Sequence, residues 1–240
     1  MNNNKKTWAI ILKRELASYF TSPMAYIVWA LFLLYTGITF VSTFFLVERA
    51  ELRSFFETLP SVMSFFIPAM TMRIFAEEKK SGSIETLITL PVTTRDVVCG
   101  KYLASFISCL VLLIPTVFYV IMCCMFGKPD MGPIIGGYLG SIFLIASFCA
   151  IGLFCSAITK NQLIAFFVGV AICLGFSMIN YFMPLVPGPL VSLFTFISAT
   201  SHFQSISRGI IDTRDIIYFI SLTALFFILT LQSVNNSRRG

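Results

Sequence analysis

From Met24 to Val47 the sequence carries not one charged side chain, and comparable apolar runs recur down the chain. A helix needs about 20 predominantly apolar residues to cross about 30 Å of hydrocarbon. Runs of this kind lie at about 102–126, 133–158, 162–183 and 216–234, with a shorter one at 60–75 that ends on Arg73. In lipid the backbone must satisfy its own hydrogen bonds, so a spanning segment is a helix or part of a closed barrel. The runs are continuous and lack the alternation of barrel strands. The sequence therefore predicts an all-α membrane protein, one domain over residues 1–240, with transmembrane helices at 24–47, 60–75, 102–126, 133–158, 162–183 and 216–234. Composition agrees: 12% of residues are charged and 57% hydrophobic, against about 25% charged in soluble domains.

The net charge of +6 does not form the basic face or stripe that nucleic-acid binding needs. It collects beside the apolar runs. Lys5, Lys6, Lys13 and Arg14 precede the first, Arg73, Lys79, Lys80, Arg95 and Lys101 follow the second, Lys160 follows the fourth, and Arg238 and Arg239 follow the last. The intervening segments hold only Arg49, Arg53, Lys128, Arg208 and Arg214. Positive charge marks the cytoplasmic side, so both termini are expected in the cytoplasm, with a bacterial inner membrane as the expected location. About twenty polar or mixed residues precede the first run and no small-residue cleavage site follows it, so this run is expected to stay as an anchor.

Ahead of the first run, residues 6–20 place Trp8, Ile11, Leu12, Leu16, Tyr19 and Phe20 on one helical face, with Lys6, Lys13 and Arg14 off it. That pattern suits a helix lying on the membrane surface. Glu15 points into the apolar face, either as a snorkelling carboxylate or as half of an ion pair facing a partner. In the fourth run Gly132, Gly136 and Gly140 recur every four residues, a small-residue ridge for close packing, within one chain or between subunits. Residues 184–214 are too apolar for a free loop and too broken by Pro184, Pro187 and Pro189 to span, so interfacial or re-entrant helices are expected there.

The chain holds little that could do chemistry. No phosphate-binding G-x-x-x-x-G-K-[ST] occurs, since Gly127-Lys128 is followed by Pro129 and Gly100-Lys101 by Tyr102. The seven cysteines form no C-x-x-C pair, so they read as small hydrophobes rather than as metal ligands. The one histidine, His202, has Asp212 and Asp215 as possible partners; structural placement and a proton or ligand role are its two readings. The spans carry almost no ionisable groups. An ion-driven carrier displays such groups because each is costly in lipid, so a power source outside this chain is favoured.

The longest polar stretch between spans reads EEKKSGSIETLITLPVTTRDVVCGK, residues 77–101. Ser83 is placed to cap a short helix. Ile84, Leu87 and Ile88 give it one apolar face, and Leu90-Pro91 ends it. Thr93, with Asp96 three positions on, is placed to cap the next span. Such a helix, held between two spans, can enter a groove on a soluble partner.

These residues resemble the ABC-2 family of ABC-transporter permeases: an acidic pair Glu77-Glu78, a basic pair Lys79-Lys80, Gly82-Ser83, Glu85, the Leu-rich run Leu87 to Leu90, Pro91-Val92 and a downstream Gly100-Lys101. Ser83 stands where Thr is commoner. The resemblance extends to Lys13-Arg14-Glu15-Leu16 through Tyr19-Phe20-x-Ser22-Pro23 and to His202-Phe203, Arg208-Gly209 and Asp212-x-Arg214-Asp215. Within the family it is nearest the permeases associated with gliding motility, beside those of copper-site maturation systems.

The resemblance implies a permease subunit of an exporter that binds no cofactor itself. Gly82, Ser83, Ile84, Glu85, Thr86, Leu87, Leu90 and Pro91 would form the coupling helix seated on an ATPase subunit that binds ATP and Mg, with a second contact at Lys160 and Asn161. Residues 1–22, with Lys13, Arg14, Glu15 and Phe20, would be the connector helix. His202, Phe203, Arg208, Gly209 and Asp212 would belong to an outer gate. A second permease, identical or related, would complete the transporter. Three other classes stay open: a membrane scaffold or assembly factor, a carrier driven by an ion gradient, and a membrane-embedded enzyme.

Overall fold

The computed structural model describes residues 7–46, 51–82, 93–127, 129–182, 188–210 and 212–239. Within them every regular element is helical: α1 (Thr7–Thr21), α2 (Pro23–Val41, running on through a π turn to Leu46), α3 (Arg53–Thr71), α4 (Arg73–Ser81), α5 (Thr94–Val111), α6 (Val117–Phe126), α7 (Met131–Ile158), α8 (Gln162–Phe182), α9 (Gly188–Ile197), α10 (Ala199–Ser207) and α11 (Thr213–Arg239). Among the described residues, five helical stretches are long and apolar enough to cross a membrane: Pro23–Phe45, Arg53–Ser81, Met131–Ile158, Gln162–Phe182 and Thr213–Asn236.

Two of the expected spans differ from this set. The segment expected at 60–75 runs much farther, from Arg53 to Ser81, so Arg73, Lys79 and Lys80 lie on α4 and not in a loop. Pro60 and Pro68 sit inside α3, and side-chain hydroxyls bond the backbone near them: Ser64 Oγ donates to the Pro60 carbonyl at 2.8 Å and Thr71 Oγ1 to the Ile67 carbonyl at 2.9 Å. The segment expected at 102–126 is instead two helices. Pro115 has no N–H to donate and its ring clashes with the carbonyl four residues back. The chain therefore tightens at 112–116 into successive i→i+3 bonds, such as Ile114 N–H to the Val111 carbonyl at 3.2 Å. Thr116 Oγ1 donates to the Leu113 carbonyl and meets the Tyr138 hydroxyl of α7.

α7 is the centre of the bundle and packs against α3, α4, α5, α8, α10 and α11. The Arg53–Ser81 stretch and α7 are each 72% buried over their apolar windows, against 28% for α2, α8 and α11. The first two therefore form the inner pair, and the other three present broad faces to the surroundings. The glycine ridge explains how closely α7 is approached. A Cβ on Gly136 would lie 2.3 Å from the Ile206 carbonyl oxygen, and one on Gly140 would lie 3.2 Å from the Phe203 ring. At Gly136 and Gly140 the ridge packs inside this chain, against α10. Gly132 is more open, with the nearest atom 3.5 Å away.

At one end of the bundle lie α1, the close of α4, the start of α5, the α7–α8 turn and the last turns of α11. At the other lie α9 and α10. The first end holds Gly82 and Thr93, the described residues on either side of 83–92.

Candidate functional site: an ion cluster at the base of the 83–92 segment

Residues 83–92, including Ser83, Ile84, Glu85, Thr86, Leu87, Leu90 and Pro91 of the expected coupling helix, lie outside the described residues. The structure does define the two points from which this segment leaves and returns. Gly82 ends α4 in the left-handed conformation at φ +72°, which costs a residue with a Cβ energy and glycine nothing. On the far side Thr93 caps α5. Its Oγ1 accepts from the Asp96 N–H at 3.2 Å and donates to Asp96 Oδ2 at 2.6 Å, as the Thr93/Asp96 spacing predicts.

Between these points Lys101 joins three helices. Its side chain is 1% exposed. Nζ donates to Glu78 Oε1 of α4 at 2.7 Å, to the Ile74 carbonyl at 3.1 Å and to Glu15 Oε1 of α1 at 3.2 Å. The three partners use the three hydrogens of an ammonium. The Phe75 ring centroid lies 5.1 Å away, within cation–π range. Arg14 Nη2 closes the cluster by donating to Glu15 at 2.8 Å and to Glu78 at 3.4 Å.

Burial alone raises a glutamate's pKa. At Glu15 the nearby Lys101 charge and the Arg14 hydrogen bond outweigh it and hold the carboxyl below its ordinary value. Desolvation offsets much of a buried ion pair's attraction, so the cluster's value lies less in net stability than in fixing where α1 docks. Glu15, which looked misplaced on an apolar face, points at an ammonium belonging to its own chain.

Gly100, beside Lys101, sets the approach distance. A Cβ there would sit 2.9 Å from the Ile11 side chain and 3.0 Å from the Trp8 carbonyl oxygen. The Gly-Lys pair is therefore one device: glycine lets α1 lie against α5, and lysine fastens it. The pairing was visible as a motif, but its target was not, since Glu15 and Lys101 are 86 positions apart.

Three further ties hold the same end. Lys79 Nζ donates to the Ala157 carbonyl at the C-terminus of α7, where a cation is favoured by the helix dipole. Thr94 Oγ1 donates to Asn235 Oδ1 of α11 at 3.0 Å. At the joint between α3 and α4, Ser156 Oγ of α7 accepts from the Phe75 and Ala76 N–H groups at 2.9 and 3.1 Å and donates to the Met72 carbonyl at 3.0 Å. A side chain inserted into the helix ladder is a recognised cause of a helix break. No sequence signal marks Ser156 for this task. Lys160 and Asn161 are exposed in the α7–α8 turn at this end, and Asn161 Oδ1 accepts from Leu163 N–H at the start of α8.

A family model described as ABC-2 family transporter protein matches residues 9–239. The chain belongs to that family. As an ABC-2 permease it is a multi-pass membrane component of an ABC transporter, a family whose members work with an ATPase subunit. No curated protein matches it. The permease's described residues hold no group of three or more His, Cys, Asp or Glu side chains able to take a metal, and its seven cysteines are unpaired.

The residues expected at an outer gate cluster at the opposite end of the permease. His202 Nδ1 lies 2.6 Å from Asp215 Oδ1 and Nε2 lies 3.0 Å from the Phe196 carbonyl oxygen. The ring stacks on Tyr218 at 4.1 Å, whose hydroxyl donates to the Ile197 carbonyl at 2.6 Å. Of the two carboxylates the sequence offered, Asp215 meets the histidine, while Asp212 accepts from the Arg214 N–H at the start of α11. Phe203 is fully buried against Gly140. Gly209 sits at φ +86°, and a Cβ there would lie 3.2 Å from the Gly132 carbonyl carbon. Arg208 is exposed, and its backbone N–H donates to the Gln204 carbonyl at 3.2 Å to cap the end of α10.

Proposed function

We propose that this permease is the membrane subunit of an ABC exporter of the inner membrane of a bacterium, within or near the gliding-motility-associated group. A separate ATPase subunit binds ATP and Mg and supplies the energy, and a second permease, identical or related, completes the complex. Both termini face the cytoplasm, and α5 and α6 together make a sixth crossing in spite of their break. The observation that carries this reading is the anchorage of the 83–92 segment. Its departure at Gly82 and its return at Thr93 lie on helices tied to α1 through Lys101, to α7 through Lys79 and Ser156, and to α11 through Thr94. A force on this segment reaches these three helices through α4 and α5, by the packed and hydrogen-bonded elements that coupling requires.

In this mechanism ATP closes the paired ATPase subunits, which pull on the 83–92 segment. The permease shifts between states because the closed ATPase binds one of them more tightly. The exposed α7–α8 turn at Lys160 and Asn161 supplies a second contact, and the His202 end caps the exit path. The test is to search the neighbouring genes for an ATPase with a phosphate-binding loop, co-express it with the permease and assay ATP hydrolysis in proteoliposomes. Glu85→Ala and Leu87→Ala should abolish stimulation of ATP hydrolysis by the permease and leave membrane insertion intact. Full stimulation in both variants overturns the coupling role.

A further inference from the structure

Beside the Lys101 cluster, a cleft of about 340 Å³ opens between α1, the corner where α1 turns into α2, and the α3–α4 joint. That volume is in the range of about 300–1,000 Å³ usual for small-molecule sites. Its lining changes character with depth. Arg14, Ser18, Arg73 and Glu77 lie toward the end of the bundle that carries Gly82, while Ala69 and Met70 lie deeper. Ala69 is set roughly 12 Å below Glu77 at the rise of a helix. Where α1 turns into α2, Trp29 makes edge contacts with Phe20 and Tyr26, each at 5.4 Å, and aromatic side chains of this kind gather at the level of lipid headgroups.

The polar rim has unused capacity of both signs. Arg73 spends Nη1 on Ser22 Oγ at 2.6 Å and Nε on Glu77 Oε2 at 3.1 Å, and its Nη2 makes no hydrogen bond among the described residues. Arg14 uses only Nη2, which leaves Nη1 and Nε open on a side chain 60% exposed. Glu77 is 53% exposed, and its Oε1 accepts no hydrogen bond among the described residues. Two guanidinium groups with open N–H positions suit a phosphate. The carboxylates of Glu15, Glu77 and Glu78 in the same lining oppose a ligand that is only anionic.

We propose that this cleft binds one phospholipid with a phosphate and a primary ammonium in its headgroup, the phosphoethanolamine class. The phosphate takes the open N–H groups of Arg14 and Arg73. The ammonium donates to Glu77, and the acyl chains leave past Met24 and Met70. A quaternary choline headgroup has no N–H to give Glu77, and an anionic glycerol headgroup meets the acidic lining with no compensating cation. The binding is independent of ATP and of the partner subunit.

The test uses the full-length chain, purified in detergent and titrated with dioleoyl phosphatidylethanolamine, phosphatidylcholine and phosphatidylglycerol, with bound lipid counted by native mass spectrometry. Phosphatidylethanolamine should bind about tenfold more tightly than either of the others, the factor expected for one charge-assisted hydrogen bond. Arg73→Gln should weaken it by about the same factor. Glu77→Gln should turn the preference toward phosphatidylglycerol. That change is a ratio measured within one sample, which partial unfolding does not imitate. Soluble glycerophosphoethanolamine should bind far more weakly, since it lacks the chains that fill the apolar depth. Equal binding of all three lipids, unchanged preference in both variants, or equal binding of the soluble headgroup overturns the proposal.

Discussion

Lys101 and Glu15, 86 positions apart in the chain, meet at 3.2 Å beneath a helix whose polar face is otherwise open to its surroundings. Through this contact and the 2.7 Å contact to Glu78, one buried ammonium ties α1 and α4 to α5. The apolar side of α1 also packs on its own chain, with Ile11 buried. α1 is thus registered by charge as well as by packing: a shift of one turn would take Glu15 from Lys101 and Arg14 from Glu78.

Lys101→Ala tests this directly. Removing one member of a buried ion cluster leaves the others uncompensated and costs about 3–5 kcal/mol. A large fall in melting temperature in detergent is expected, with faster tryptic cleavage after Lys13 and Arg14 as α1 lifts. The double variant Lys101→Met with Glu15→Gln should lose less than the sum of the two single changes, because the pair acts together. Additive losses would mean that the two side chains do not act as a pair.

Gly100→Leu separates packing from charge. Its Cβ would begin 2.9 Å from the Ile11 side chain and 3.0 Å from the Trp8 backbone oxygen, and the backbone atom cannot rotate away. Overpacking of this kind costs about 1–3 kcal/mol. Protease sensitivity of α1 should rise as in Lys101→Ala although every charge remains, as measured by limited trypsin digestion of matched samples.

Acid should release the same helix. Glu15 is held below its ordinary value chiefly by Lys101 and Arg14, against burial. Its contribution is therefore complete above the ordinary glutamate value of about 4.3 and disappears as pH falls through the lower folded value. The difference in melting temperature between the wild type and Glu15→Gln should be constant from neutral pH down to about that value, and then shrink at still lower pH. A difference that instead grew on acidification would reverse the assigned sign.

Much of this architecture was legible because the bilayer imposes so simple a rule. Uncharged runs located α2, α7, α8 and α11 to within a few residues, and the Thr93/Asp96 spacing located the start of α5. Charge misled in one place: Arg73, Lys79 and Lys80 suggested a loop after a short span, yet α4 continues the helix, with Arg73 paired to Glu77 one turn on at 3.1 Å and Lys79 donating to the Ala157 carbonyl of α7. Pro115 was visible inside an apolar run, but whether a proline kinks a helix or splits it depends on its neighbours, here Thr116 and Tyr138. The candidate site was half legible. Gly100-Lys101 and Glu77-Glu78 stood out as pairs, while Glu15 as their common partner required a contact across 86 positions that periodicity along one helix cannot supply.

Ser156 gives the last prediction, because it holds the joint through which a pull on α4 would reach α3. Its hydroxyl oxygen serves the Phe75 and Ala76 N–H groups and its proton serves the Met72 carbonyl, all of them buried residues. Ser156→Ala removes these partners at once. Each stranded buried group costs about 1–3 kcal/mol, unless the chain re-forms the regular i→i−4 ladder across Met72 and α3 runs straight into α4. Hydrogen exchange decides between the two responses. Faster exchange at Phe75 and Ala76 with a lowered melting temperature is the expected outcome, and it identifies the joint as a break imposed by α7. Slower exchange with unchanged stability would show that α3 and α4 prefer to be one helix, and would remove Ser156 from any account of how motion passes along this segment.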